Sequence, residues 1–163
     1  MLTQELLKSL FNYDPVTGNL IRIKNSGTAK AGDIAGFIND KGYVVIKIKS
    51  NAYKAHRLVW LYHYGVMPTD QIDHANNIKH DNRIENLRDS NNGQNRYNTK
   101  LGKNNTSGVK GVVLDKRYNK WSARINVDGK RIHLGLFNDK ELAELVVTKA
   151  REKYHKEFAN HGI

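Results

Sequence analysis

The last third of the chain holds the pattern that most constrains its fold. Alternating apolar and polar residues, typical of β-strands, occur in three short segments: 109–114, 121–127 and 131–137. Asp128-Gly129 separates the second segment from the third, and this dipeptide favours a tight hairpin turn. An apolar stripe at helical spacing then runs from Asn138 to Phe158, with Asn138 and Glu141 resembling a capping box. The pattern predicts a three-stranded antiparallel sheet packed on one helix.

The first part of the chain predicts short helices and strands in mixed order. Thr3 is expected to cap a helix within the first ten residues, and Ala55–Tyr64 is expected to form a second helix that Gly65 ends. Extended, β-branched patterns indicate strands at 11–13, 20–23 and 42–49. We therefore predict an α+β protein with domains at 1–98 and 109–163, joined by a polar, Gly-bearing linker at 99–108.

Charge is distributed unevenly along the chain. The formal net charge is +11. Residues 99–133 hold nine Lys or Arg and two Asp, whereas residues 134–163 hold five basic and five acidic residues. Because such an excess repels itself unless a polyanion relieves it, nucleic acid is the expected partner, and duplex DNA fits a basic sheet. The absence of Cys excludes disulfides, thiolate zinc sites and a Cys nucleophile.

One cluster of polar residues points to chemistry. Asp73 and His74 are adjacent, Asn86 follows twelve residues after the His, and Asn95 lies nine residues further on. Carboxylate and amide oxygens suit a hard divalent cation, and an imidazole can take a proton from water near neutral pH. These groups together indicate phosphodiester hydrolysis. Since adjacent side chains alternate on a strand, we expect a bend or bulge that lets Asp73 and His74 act together.

The spacing resembles that of the HNH endonucleases, the ββα-metal nucleases found among phage and intron-encoded homing enzymes. Four segments carry the resemblance: AHRLVW at 55–60, IDHANN at 72–77, DNRIENLR at 81–88 and GQNRYN at 93–98. The resemblance implies that Asp73 and Asn95 bind the metal, that His74 is the general base, and that Asn86 fixes the hairpin around it. Asn rather than His at the last position favours Mg²⁺ or Mn²⁺ over Zn²⁺. The neighbouring basic residues are expected phosphate contacts: Arg83, Arg88 and Arg96.

The C-terminal part resembles the APETALA/ethylene-response-factor DNA-binding domain. Two segments carry this resemblance: SGVKGVVLDKRYNKWSARI at 107–125 and GKRIHLGLFNDKELAELVVTKA at 129–150. The resemblance implies DNA contacts from the sheet, and the candidate residues are Lys110, Lys116, Arg117, Lys120, Trp121, Arg124, Arg131 and His133. The sequence departs from the plant pattern at Tyr118, Arg124 and His133. The docking mode is therefore carried over, and the base specificity is not.

Together these features predict a metal-dependent endonuclease that cuts double-stranded DNA, of the phage or homing type. We expect an intracellular protein in a bacterial host, with no membrane association, acting as a monomer or weak dimer. A DNA-binding regulator with an inactive nuclease motif is the alternative. An RNA-directed protein is a third reading, against which stands an aromatic content of only 9%. His56 is open to two readings, a group near the site or a structural histidine.

Overall fold

The structure, a computed structural model, describes residues 2–162. It is an α+β protein of short helices and small antiparallel sheets, in two compact units that meet in sequence between Ser90 and Asn91. The first unit contains α1 (Gln4–Leu10), β1 (Phe11–Tyr13), β2 (Leu20–Arg22), β3 (Phe37–Ile38), β4 (Val44–Ile48), β5 (Asn51–Lys54), α2 (Ala55–Tyr64), β6 (Gln71–His74) and β7 (Leu87–Ser90). The second contains α3 (Asn92–Tyr97), β8 (Val112–Asp115), β9 (Lys120–Val127), β10 (Lys130–Phe137) and α4 (Lys140–His155). None of the helices that residues 2–162 form is long and apolar enough to cross a membrane.

The core of the first unit lies between its two helices and its sheets. Fully buried apolar side chains from α1, the strands and α2 form one cluster, which includes Leu7, Phe11, Leu20, Ile46, Leu58 and Val59. α2 begins and ends at Ala55 and Tyr64 as predicted, and Gly65 ends it in the left-handed conformation. Ile72 of β6 and Leu87 of β7 belong to the same cluster. The β6–β7 hairpin is therefore anchored to the core by one of its faces.

A turn of the β1–β2 hairpin packs closely against the backbone that follows β6. Asp14 accepts hydrogen bonds from the Thr17 hydroxyl and the Val16 amide, which closes this turn. Gly18 has φ of +74°. A Cβ there would lie 2.4 Å from the Arg83 nitrogen, so only glycine fits this position.

The second unit has the architecture that the sequence predicts. Its antiparallel sheet has the strand order β10-β9-β8, and it packs on α4 through Val109, Val112, Ala123, Ala143 and Val147. Asp128 and Gly129 both have positive φ in the β9–β10 turn, as a tight hairpin requires.

The ends of α4 differ from the prediction. Asp139, not Asn138, is the cap, because its side chain accepts the Leu142 amide at 3.0 Å. The helix also ends at His155 rather than at Phe158. Lys156 has φ of +51°, and a short 3₁₀ turn over Lys156–Phe158 follows. The apolar residues keep their helical spacing as far as Phe158, so this spacing alone predicts an end of α4 that is three residues too late.

The far half of the central strand β9 has no strand beside it on the β8 side. β8 pairs only with residues 120–123 of β9. Beyond that point the Arg124 amide donates to Gly111 O at 2.8 Å, and the Asn126 carbonyl accepts from His155 Nε2 at 2.8 Å. The Asp128 amide then donates to the Tyr97 hydroxyl at 2.6 Å. A loop, α4 and α3 thus complete the edge that β8 leaves open.

Candidate active site

β6 carries Asp73 and His74 without the bend or bulge that the sequence led us to expect. β6 pairs with β7 in unbroken register, with Asp73 opposite Arg88 and His74 opposite Leu87. The two side chains therefore point to opposite faces of the hairpin. No distortion is needed because each face supplies its own partner, Arg88 for Asp73 and the α2 side for His74.

His74 is buried, at 5% exposure, among other rings. The His56 ring of α2 meets it edge-on with centroids 5.0 Å apart, and the Tyr43 ring lies at 6.1 Å. Burial lowers the pKa of His74, against the opposing effects of its Asn82 contact and the Asp73 charge. The imidazole is therefore neutral near neutral pH, which is the form that can accept a proton.

Asn82 touches the other edge of the His74 ring. Its Oδ1 lies 3.4 Å from His74 Nε2, and the side chain is 2% exposed. Since an amide oxygen accepts, this contact favours the tautomer with the proton on Nε2 and the lone pair on Nδ1. The Tyr13 hydroxyl, which accepts from the Ile84 amide, donates to Asn82 O at 3.4 Å. Tyr13 and Gly18, both from the β1–β2 hairpin, thus hold the backbone that carries Asn82.

Asn86 closes the loop between β6 and β7. Its Nδ2 donates to Asp81 O at 2.8 Å, and its Oδ1 accepts the Asn76 amide at 3.0 Å. Its own carbonyl accepts the Ala75 amide at 2.9 Å. One buried carboxamide therefore ties both ends of the loop that begins directly after His74.

Asp73 is buried and ion-paired. Its Oδ2 accepts from Nε and Nη2 of Arg88, at 2.8 Å and 2.6 Å. Arg88 keeps about a quarter of its side chain exposed, whereas Asp73 is 4% exposed. The carboxylate is thus held in place by a cation from the neighbouring strand.

Arg83 is likewise paired within the loop. Its Nε and Nη2 bind both oxygens of Asp81, at 2.9 Å and 2.7 Å, and its Nη1 reaches Glu85 at 3.1 Å. These bonds lower the pKa of Asp81 to about 2 and raise that of Arg83. The fork-shaped pair braces the loop that carries Asn82.

The remaining motif residue lies in the second unit. Asn95 is on α3, whose start is fixed by a capping box between Asn91 and Gln94. Arg96 is exposed on the same helix. Asp73, His74 and Asn86 all lie in the first unit. Over residues 2–162, no three His, Asp or Glu side chains gather into a group that could hold a metal ion, so the candidate ligands are one carboxylate and amide oxygens.

The predicted DNA contacts fall into three settings in the second unit. Arg124, Arg131 and His133 share the sheet face opposite α4, since His133 pairs with Arg124 and Arg131 with Asn126. Lys120, at the start of β9, pairs with Asp115, and the exposed Lys116 and Arg117 lie in the turn before it.

Two of the predicted contacts are engaged in packing. Trp121 packs against the core on the α4 side of the sheet. Lys110 donates its ammonium hydrogens to Tyr97 O, Thr99 O and Asn160 O at 2.5–3.2 Å. The Trp121 ring and the Lys110 ammonium are therefore engaged within the protein, whereas the sequence alone predicts that both contact DNA.

Sequence reasoning did not assign the residues that support His74. Asn82, Tyr13 and Gly18 received no role there, and His56 was left between two readings. Asn82 is eight residues from His74 and Tyr13 is sixty-one, so no local spacing connects them. The available signal was Asp14-Pro15-Val16-Thr17-Gly18, which fixes a turn but does not reveal what that turn packs against.

Comparisons with known proteins match the part of the chain that contains Asp73, His74 and Asn86. A family model described as HNH endonuclease matches residues 53–97, from β5 to the end of α3. Protein 3.8 of Escherichia phage T7 is 32% identical over 113 residues, which cover 66% of this chain and 91% of that protein. No solved structure gives a significant match. The chain therefore belongs to the family of Protein 3.8 of phage T7, and it carries an HNH endonuclease domain at residues 53–97.

Proposed function

We propose that the protein is a metal-dependent endonuclease that hydrolyses phosphodiester bonds in double-stranded DNA. The observation that carries the proposal is the buried His74, which follows Asp73 in β6 and contacts Asn82 within the HNH match. A neutral imidazole held in one tautomer is suited to take a proton from the attacking water. Asn86 acts indirectly, because it holds the loop that follows His74.

The residues present fit a hard divalent cation. Asp73 offers a buried carboxylate, and the HNH resemblance adds the Asn95 amide oxygen as a proposed ligand, so the donor chemistry favours Mg²⁺, with Mn²⁺ as a substitute. Such an ion would neutralise charge on the phosphate and on the departing oxygen. Arg88 keeps the Asp73 carboxylate oriented, and its own positive charge competes for that carboxylate.

We further propose that residues 109–163 form a DNA-binding module similar to the APETALA/ERF domain. Arg124, Arg131 and His133 share the open sheet face and can reach into a major groove. Arg117 and Lys116, in the exposed turn, would contact phosphates. Affinity of the full chain for a duplex should therefore fall steeply as salt rises, and an unchanged dissociation constant would contradict this role.

The proposal also covers the domain organisation, the host and the oligomeric state. Residues 1–98 would contain the nuclease and residues 99–108 the connection to the DNA-binding module. A phage relative supports action inside a bacterial host, and the HNH match supports a homing-type or similar phage endonuclease. One active site in each chain cuts one strand per visit, so we expect a monomer that nicks, or a weak dimer that cuts both strands.

A DNA-binding regulator with an inactive nuclease motif is the competing function. Supercoiled plasmid incubated with and without Mg²⁺ separates the two, with wild type beside His74→Ala and the exposed His80→Ala as a matched control. We expect Mg²⁺-dependent nicked or linear product from wild type and His80→Ala. His74→Ala should bind the plasmid and leave it intact. Normal cleavage by His74→Ala would remove His74 from the mechanism, and no cleavage by wild type would favour the regulator.

A further inference from the structure

The second unit contains a cavity of about 1060 Å³ beside the turn between β9 and β10. Its walls come from α3, the segment before β8, the β9–β10 hairpin and α4. Five cationic side chains line it against one carboxylate, and these are Arg96, Lys110, Arg124, Arg131 and Arg151 with Asp128. The Asp128 carboxylate accepts from the Tyr97 hydroxyl at 3.1 Å. The cavity therefore carries a large excess of positive charge.

Two of these cations are built into the protein without a carboxylate partner. Arg151 is 2% exposed and donates to Lys110 O and to His161 Nδ1. The Lys110 ammonium donates to three carbonyls. Neither forms an ion pair with any carboxylate of residues 2–162. Burial, and then the charge of Arg151, lowers the pKa of Lys110 to about 8, and burial lowers the pKa of Arg151. A bound anion would relieve this repulsion.

A buried histidine in the cavity wall gives a second sign of a ligand. His155 is 6% exposed, and its ring stacks on Tyr97 with centroids 3.8 Å apart. Its Nε2 donates to Asn126 O, so its Nδ1 is an acceptor, which no group of the described chain satisfies. Buried polar atoms without a partner are uncommon in native proteins. An anion bound in the cavity would favour protonation of this nitrogen, because the imidazolium balances its negative charge.

We propose that this cavity binds a phosphate group. The exposed Arg96 and Arg131 would contact its oxygens, and the half-buried Lys110 and the buried Arg151 supply the positive potential behind them. The phosphate has two chemical sources, a strand of nucleic acid or a free phosphate monoester. Only the first source rests on the proposed DNA-binding function. The site adjoins the open sheet face, with which it shares Arg124 and Arg131, and α3 and α4 form the rest of its wall.

The test uses the full-length protein and the NMR signals of the His155 ring, assigned by their loss in His155→Gln. Inorganic phosphate, thymidine 5′-monophosphate and a short DNA duplex are added in separate titrations. Dissociation constants are then measured for wild type, for Arg96→Gln combined with Arg131→Gln, and for Lys103→Gln. Lys103 is an exposed cation that does not line the cavity and has no proposed contact with DNA.

We expect the His155 signals to shift with at least one ligand and the double variant to bind that ligand about tenfold more weakly, a change of about 1.4 kcal/mol. Lys103→Gln should leave the binding of the two small ligands unchanged, and with duplex its loss should be smaller than that of the double variant. A shift with duplex alone identifies a nucleic-acid phosphate, and a shift with the two small ligands identifies a free monoester site. If no ligand moves the His155 signals, or the double variant binds no more weakly than Lys103→Gln, the proposal is wrong. None of these measurements depends on DNA cleavage, so they stand apart from the nuclease assignment.

Discussion

Arg88 and Asp73 face each other across the β6–β7 hairpin, and the guanidinium donates two hydrogen bonds to a single carboxylate oxygen. The pair places a protein cation at the carboxylate that we propose as a metal ligand. A divalent ion and Arg88 would therefore share the negative charge of Asp73. This arrangement keeps the carboxylate oriented before any metal arrives.

Replacing Arg88 by Gln should make the protein more dependent on metal for its stability. Without Mg²⁺ the buried Asp73 charge loses its partner, and we expect a loss of about 2 kcal/mol in the free energy of unfolding, below that of a fully buried pair. Mg²⁺ should recover part of this loss, and thermal unfolding with and without the ion measures it. Arg83→Gln is the control, because Arg83 pairs with Asp81 and Glu85 instead. An equal Mg²⁺ effect in both variants would argue against a metal at Asp73.

Asn86→Ala should weaken both the fold and the proposed cleavage. The change removes the bonds to Asp81 O and the Asn76 amide and leaves buried groups unsatisfied, at a cost of about 2 kcal/mol or more. Because the loop follows His74, we expect the cleavage rate to fall at least tenfold while DNA affinity is kept. Denaturant unfolding and single-turnover cleavage measure the two effects. Asn104→Ala, at an exposed asparagine, should change neither; full cleavage by Asn86→Ala would refute the positioning role.

His56 should make the stability depend on pH. Burial, followed by repulsion from His74 once that ring is protonated, lowers the pKa of His56 from 6.5 to about 3. Between these values the unfolded chain binds a proton that the folded chain does not, so stability is present above pH 6.5 and is lost as pH falls towards 3. One such group contributes a slope of about 1.4 kcal/mol per pH unit. We expect His56→Asn to flatten the dependence of unfolding free energy on pH, whereas His133→Asn, at an exposed site, should preserve it. A slope unchanged in His56→Asn would show that folding does not lower the pKa of His56.

Tyr97→Phe should destabilise the second unit. The change keeps the stack on His155 but removes the hydroxyl that accepts the Asp128 amide and donates to the Asp128 carboxylate. We expect a loss of about 1 kcal/mol. Trp121 fluorescence in a Trp60→Phe background reports on this unit, since the chain has two tryptophans. Tyr118→Phe, at the exposed turn before β9, is the matched control; equal stabilities for the two variants would mean that the edge of β9 does not need this bond.

The sequence predicted elements where a local pattern determines them. The β9–β10 hairpin followed from Asp128-Gly129, and α2 followed from its apolar spacing and Gly65. The fold class is confirmed, including the C-terminal sheet packed on α4. These features depend on residues that are near each other in the chain.

Features that depend on distant residues were not predicted. The contact of Asn82 with His74, and the support of Asn82 by Tyr13, join segments that only the folded core brings together. The bulge that we expected at Asp73 is absent. The expectation assumed that Asp73 and His74 must point to the same face, whereas each side chain has its own partner on its own face of the hairpin. The helix cap is Asp139 rather than the predicted Asn138. Asn and Asp are both favoured as caps, so their preferences alone do not decide between two adjacent positions.

The boundary between the compact units falls within the HNH match, after β7 and before α3. Asn95 therefore belongs, in folding terms, with the sheet and helix that follow it. If related phage genes recombine at the edges of folding units, an exchanged C-terminal part would bring its own version of the last motif residue. A new binding module and a changed nuclease centre would then be inherited together, and selection would act on the two as a single trait.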